Sequence, residues 1–343
     1  MKVSAKLFAR LAGAIVALCL APYIAIAQSP TTRIVTAATG FLATLDATQK
    51  TAVQFAFDDD AQRARWSNFP VQMSRRAGLK LGDLTAAQRT SAMVLVSAAL
   101  SKRGYEKVLE IMEADEMLKA NERGNPLFGK DLYFISILGT PSASAPWMLQ
   151  FGGHHLALNV TIVGDRGVLT PSLTAAQPAM YTMNGKSVRP LGRENDKAFT
   201  LLAALDATQR AKAVLTFRVA DLVLGPGQDG KTIQPEGLKA SAMNAQQRAM
   251  LLDLISEWSG IVHESAAAAR LAEIKATLDD TWFAWSGPIT IEPGHNGTSY
   301  YRIQGPTLVI EYAPQAMGGD PGMHIHTIYR DPGNDYGRKL TAK

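Results

Sequence analysis

The segment Leu42-Ala43-Thr44-Leu45-Asp46-Ala47-Thr48-Gln49 returns about 160 residues later as Leu202-Ala203-Ala204-Leu205-Asp206-Ala207-Thr208-Gln209. The echo continues beyond it. Gly78-Leu79-Lys80 returns as Gly237-Leu238-Lys239, and Thr85-Ala86-Ala87-Gln88-Arg89 as Asn244-Ala245-Gln246-Gln247-Arg248. Asp131-Leu132-Tyr133-Phe134 is answered, more loosely, by Asp280-Thr281-Trp282-Phe283. Self-similarity at a matched spacing is the signature of one supersecondary unit made more than once, its copies burying surface against each other. The chain therefore reads as two tandem, diverged copies, residues 28–190 and 191–343, and its fold is expected to set out the same elements twice.

Each repeated segment carries a helix start. Asp46, Thr85, Asp206 and Asn244 precede Gln49, Gln88, Gln209 and Gln247 by three residues. In that spacing the short polar side chain accepts from the third helical N–H while the glutamine reaches back to the N-cap, so four capping boxes are predicted in chain order. After the helices the apolar spacing changes from three and four to alternating or continuous runs with aromatic and β-branched residues. Strands are predicted over 132–138, 147–163, 300–304, 307–312 and 323–329. Helices followed by strands, rather than strict alternation, argue for an α+β fold of two helix-then-sheet repeats, their sheets meeting across a pseudo-twofold arrangement. Gly225-Pro226-Gly227-Gln228-Asp229-Gly230 reads as loop. It lacks the preceding strand and following helix that a phosphate-cradling glycine loop requires.

The first 27 residues read as a leader. Lys2, Lys6 and Arg10 stand before an apolar run from Leu11 to Leu20, and Ala25-Ile26-Ala27 precedes Gln28. The run is shorter than the ~20 residues of a membrane span and is followed by Pro22, so cleavage after Ala27 is expected, with no stable membrane insertion afterwards and a periplasmic or secreted location. Leu18 before Cys19 does not suit a lipid-attachment site. The one cysteine lies in the leader, which removes disulfides, thiol nucleophiles and thiolate metal sites from the rest of the chain. The formal charge is +5 and three of the positive side chains lie in the leader. No run of Lys or Arg interleaved with aromatics remains, so neither nucleic acid nor an anionic membrane is an expected partner. With 47% hydrophobic residues the chain can bury a large core.

Four of the six histidines fall in two tight groups, His154-His155 after Gly152-Gly153, and His324-Ile325-His326. Side chains two apart on a strand share a face, so His324 and His326 can present two nitrogens to one metal. In a continuous strand His154 is in phase with Leu156, Leu158 and Val160, whereas His155 is in phase with Ala157 and Asn159. His155 is accordingly the better third ligand and His154 the reserve. Asn159 and Arg330 are the candidates for contacting a substrate, Arg330 by holding an anionic group. Glu311, Asp320, Asp331 and Asp335 are the nearby acids, and His263 and His295 read as structural or loop residues. Neither His-Glu-x-x-His nor Gly-x-Ser-x-Gly occurs, which argues against helical zinc hydrolases and serine hydrolases of the elbow type. Trp66-Ser67-Asn68-Phe69-Pro70, flanked by Arg63, Arg65, Arg75 and Arg76, reads as an aromatic anchor closing a helix or as a wall of the pocket.

Phe151-Gly152-Gly153-His154-His155-Leu156-Ala157-Leu158-Asn159, with Trp66-Ser67-Asn68-Phe69-Pro70, Gly225-Pro226-Gly227 and His324-Ile325-His326-Thr327-Ile328-Tyr329-Arg330-Asp331-Pro332, resembles the bacterial and fungal family DUF3500. The resemblance implies no activity, since none is assigned to the family, but it concentrates on the two histidine clusters. Two functions follow. One is an exported metal-dependent enzyme, hydrolytic or oxidative, in which imidazoles from both clusters hold one divalent ion (zinc, iron or copper) with a position open for water or a small-molecule substrate. The other is a non-catalytic periplasmic protein that binds a metal or small ligand between the copies. The leader reading predicts a mature polypeptide that begins at Gln28 and is recovered from the periplasm or medium. N-terminal sequencing checks this, and an intact Met1 on membrane-bound protein contradicts it.

Overall fold

The computed structural model describes residues 29–317 and 319–341, so the predicted leader lies outside the described residues. The chain is an α+β protein with ten α-helices among those residues and one large mixed sheet. The first half runs through helices α1 (Pro30–Ala43), α2 (Ala47–Val53), α3 (Ala86–Ala99) and α4 (Lys102–Asn121) into strands β1 (Phe134–Leu138), β2 (Trp147–Gly153), β3 (Leu156–Val163) and β4 (Ser172–Ala176). The second half runs through α5 (Gly192–Ala204), α6 (Ala207–Ala213), α7 (Ala245–Ser259) and α8 (Glu264–Ala276) into β5 (Trp282–Ser286), β6 (Tyr300–Gly305), β7 (Leu308–Pro314) and β8 (Ile325–Arg330). Single-turn helices at Asp60–Arg63 and Arg338–Thr341 complete the ten.

All four capping boxes form, at the starts of α2, α3, α6 and α7. Their glutamines do further work. Gln88 donates to Gln49 Oε1 at 2.8 Å, and Gln247 donates to Gln209 Oε1 at 2.8 Å. The same amide groups donate to the carbonyls of Thr44 and Ala204 near the ends of α1 and α5. One side chain thus satisfies backbone groups that two helix ends would otherwise leave bare.

The main strands lie in the order β1-β2-β3-β4-β8-β7-β6-β5, every neighbouring pair antiparallel. The parallel element is Gln54–Phe55, which pairs with the end of β1. The sheets of the two halves meet edge to edge through β4 and β8, with Ile325 opposite Ala176 and Tyr329 opposite Ser172. At the join, Thr174 and Thr327 exchange a hydroxyl contact at 2.8 Å, and Trp258 of α7 donates to Thr327 Oγ1 at 3.0 Å. β4 is not foreseen in the sequence. Its Ser-Leu-Thr-Ala-Ala has little intrinsic strand preference, and burial between two neighbours decides its conformation.

Strand alternation sorts the core onto two faces. Ile135, Ile137, Leu149, Phe151, Leu158 and Val160 pack under the first-half helices. Phe283, Trp285, Tyr301, Ile303 and Tyr312 pack under the second-half helices. Leu138, Met148, Ala157, Leu173, Ala175 and Ile328 face the other way, against Trp66 and Tyr336. Between the helices of the two halves lies a buried ion pair, Lys107 of α4 with Glu194 of α5, and Lys107 also donates to the Glu257 carbonyl at 3.0 Å. Burial pushes the Glu194 carboxyl up while Lys107 opposes the shift. Removing one member of such a pair strands the other charge. Lys107→Met is therefore expected to cost about 3–5 kcal/mol in urea unfolding, and Lys107→Met with Glu194→Leu to recover most of it.

Candidate metal centre

The expected continuous strand 147–163 is broken at His154-His155, which form the two-residue loop of the β2–β3 hairpin, closed by the Gly153–Leu156 pair. His155 adopts φ +64°, a left-handed conformation rare outside glycine and enriched at turns and functional sites. The two residues therefore do not alternate as in a strand, and the phase argument for His155 does not apply. The turn aims the rings instead. His155 is tied by its N–H to the Asn68 carbonyl at 3.3 Å, and its carbonyl accepts from Ala175 of β4 at 2.8 Å.

The glycines before it are needed for packing. A Cβ on Gly153 would sit 2.8 Å from the Tyr133 ring, and one on Gly152 2.3 Å from the Leu156 carbonyl oxygen. Tyr133 donates to the His154 carbonyl at 2.9 Å, and Arg76 donates to the carbonyls of Gly153, Ser67 and Phe69 at 2.7–2.8 Å. Burial pushes the Arg76 guanidinium down to about 10. The Trp66–Pro70 segment is thereby clamped to the hairpin.

His324 immediately precedes β8 and His326 lies within it, opposite Ala175 of β4. The structure brings His155, His324 and His326 together. His324 Nε2 lies 3.1 Å from His155 Nε2 and 3.0 Å from His326 Nε2, and one ligating nitrogen from each lies within 4.8 Å of the others. Two nitrogens ~2.0–2.1 Å from one ion at tetrahedral angles are about 3.3 Å apart, so the spacing suits a shared ion. His155 is 2% exposed and His324 and His326 are 6%. Burial and the neighbouring imidazoles push His155 well below the ordinary histidine value and His324 down to about 4. Neutral rings with converging lone pairs are the form that binds metal.

The outer nitrogens are also engaged. His324 Nδ1 lies 2.9 Å from the Met317 carbonyl, which fixes the Nδ1–H tautomer and leaves Nε2 bare. His326 Nδ1 faces Asn68 Nδ2 at 3.4 Å and Asp221 Oδ1 at 3.7 Å. Burial raises the Asp221 carboxyl, but the neighbouring His326 and hydrogen bonds from the Leu222 amide and Gln315 outweigh it and the net direction is down.

His154 is placed differently. Its Nδ1 lies 2.6 Å from Asp115 Oδ1, and its ring stacks on His155 at 3.6 Å between centroids, so it supports the cluster from behind. Asn159 and Arg330, expected at a substrate, are engaged within the fold. Asn159 bonds to Gln150 and the Pro171 carbonyl, while Arg330 pairs with Asp229 at 2.8 Å and Asp335 at 2.9 Å, so the anions it holds are the protein's own. Glu311 accepts from the Val223 and Leu224 amides and Tyr300, Asp331 pairs with Arg270, and Asp320 caps a 3-10 turn. None of these acids joins the three nitrogens.

Sequence reasoning missed Asp115, Asp221 and the role of Asn68. The Trp66–Pro70 motif signals Asn68, whereas Asp115 in mid-helix and Asp221 in an irregular segment carry no local signal. A recess of about 160 Å³ is lined by Leu118, Asn121, Gln177, Pro178, Asp320, Met323 and His324. No helix among the described residues is long and apolar enough to cross a membrane.

A family model described as a protein of unknown function, DUF3500, matches residues 27–338. No curated protein and no solved structure matches the chain.

An imidazole held below its ordinary value near 6.5 takes up a proton when the chain unfolds. Metal-free protein should therefore keep its full stability above about pH 6.5 and lose it as pH falls towards about 4, where His324 itself protonates in the folded state. Thermal unfolding midpoints across pH 4–8 check this, and His324→Asn should flatten the slope in that window.

Proposed function

The chain belongs to the DUF3500 family, and we propose that it is an exported metal-dependent enzyme, hydrolytic or oxidative, whose divalent ion is held by His155, His324 and His326. The observation that carries this reading is the convergence of three buried Nε2 atoms, two of the contacts at 3.0 and 3.1 Å. Three histidines with a fourth position open is a ligand pattern of catalytic zinc. The donor set also narrows the metal. Among the described residues no carboxylate joins the group, whereas mononuclear iron oxygenases characteristically use two histidines and a carboxylate, so zinc or copper fits better than iron. When bound, the ion supplies Lewis acidity and an activated water, or in the case of copper a redox centre. The recess at His324 is the route we assign to a small-molecule substrate.

Export is supported by the leader-like first 27 residues and by a family match that begins at residue 27. We further read residues 28–190 and 191–343 as diverged copies of one unit. The main elements of each half are a long helix, a short helix, two more helices and four strands, with the same pair of capping-box glutamines bonded to each other. One observation favours a second reading, a non-catalytic binding protein. The ligand rings are almost wholly buried, and the recess that touches His324 is small.

Untagged protein should carry about one zinc or copper ion per chain by elemental analysis. His324→Ala or His326→Ala should abolish that uptake with the circular dichroism spectrum unchanged, because the core lies in the helices and sheet. Turnover by the metallated wild type in a hydrolase and oxidase panel selects the enzyme; stoichiometric metal without turnover selects the binding protein. Metal-free wild type that takes up neither ion refutes both metal readings.

A further inference from the structure

We infer that Asp221 is a positioning residue for the metal centre, holding His326 in the tautomer that ligates, and that Asn68 holds the same ring in the tautomer that does not. This rests on the metal reading above. His326 Nδ1 faces two side chains of opposite hydrogen-bond character: the Asn68 Nδ2 amide, a donor, at 3.4 Å, and a carboxylate oxygen of Asp221, an acceptor, at 3.7 Å. A neutral imidazole carries one N–H, so it satisfies one of them at a time.

With Nδ1 accepting from Asn68, the proton sits on Nε2 and is donated to His324 Nε2, 3.0 Å away. His324 is ready to accept, because its own N–H is directed at the Met317 carbonyl. With Nδ1 donating to Asp221 instead, His326 Nε2 is bare and available to an ion. The two arrangements hold the same number of protons. One proton moves from Nε2 to Nδ1 of one ring, and a cation selects the second arrangement while the Asp221 carboxylate offsets its charge. Asp221 is itself held for this task, accepting from the Leu222 amide at 2.7 Å and from Gln315 at 2.8 Å. Asn68 comes from the first half of the chain and Asp221 from the second, so each half supplies one side of the choice.

The Asp221 side chain is 60% exposed, so its replacement leaves the core intact. Loss of such an outer partner commonly weakens metal binding about 10–100-fold. The test measures Zn(II) affinity of the mature full chain by chelator competition, together with the nitrogen-15 shifts of the His326 ring. Asp221→Ala should bind Zn(II) about 10–100-fold more weakly, with the metal-free melting midpoint unchanged. Asp221→Asn, which keeps an acceptor oxygen without the charge, should fall between it and wild type. Asn68→Ala should bind no more weakly than wild type. Zn(II) should move the His326 proton from Nε2 to Nδ1. Wild-type binding with unaltered affinity in Asp221→Ala overturns this inference alone, as does a His326 ring already protonated at Nδ1 without metal. A wild-type chain that takes up no Zn(II) overturns the metal reading and this inference with it.

Discussion

The pairing of β4 with β8 is the interaction on which the rest of the molecule depends. It joins the four main strands of each half into one sheet and sets His326 opposite Ala175, the residue whose amide also holds the His155 carbonyl. A slip of one residue in that register would turn His324 and His326 to the other face of the sheet. Several groups resist such a slip at once. Thr174, Thr327 and Trp258 form a hydrogen-bonded chain across the join. Arg330 at the end of β8 is fixed by Asp229 and Asp335. The charges buried elsewhere, Lys107 with Glu194, tie the overlying helices together across the same divide.

The electrostatics of the histidine cluster follow from where that join lies. His155 and His324 are held towards neutrality, because a protonated ring there would lose hydration and meet the charge of neighbouring imidazoles. The acids that approach the cluster do so from outside. Asp115 meets His154 and Asp221 meets His326, while the Nε2 atoms of His155, His324 and His326 face one another. Carboxylate and then imidazole, ordered from the periphery inward, is the arrangement by which outer partners orient histidine rings at metal sites.

Much of the frame was legible in the sequence because it is written in local chemistry. The capping boxes at Asp46, Thr85, Asp206 and Asn244 need only residues three apart, and the strands at 134–138, 300–305 and 308–314 carry aromatic or β-branched residues in period two. The His-x-His pair was legible for the same reason. β4 was not, since Ser172–Ala176 is strand by virtue of its neighbours. The hairpin turn at His154-His155 was hidden too, because Gly-Gly-His-His lacks the Asn-Gly or Asp-Gly that commonly marks a two-residue loop. The strand phase that favours His155 is abolished by the turn, and the turn itself brings the ring to the cluster. Asn159 and Arg330 sit in sequence near the clustered histidines, yet their polar atoms are turned to other partners, a distinction that neighbourhood along the chain does not carry.

His155 lies about 170 residues of chain from His324 and His326, and β8, which carries His326 and begins just after His324, follows every other described strand of the sheet in sequence. Contacts of such separation form after local helices and hairpins, because the intervening loop must be closed first. On the proposed reading of an exported metal protein, the chain would cross the membrane with these histidines apart and bring them together only where β8 docks. Because imidazole sites bind copper more tightly than zinc when both are offered, the ion such a protein carries would be decided by the metal supply at the place of folding as much as by the donors themselves.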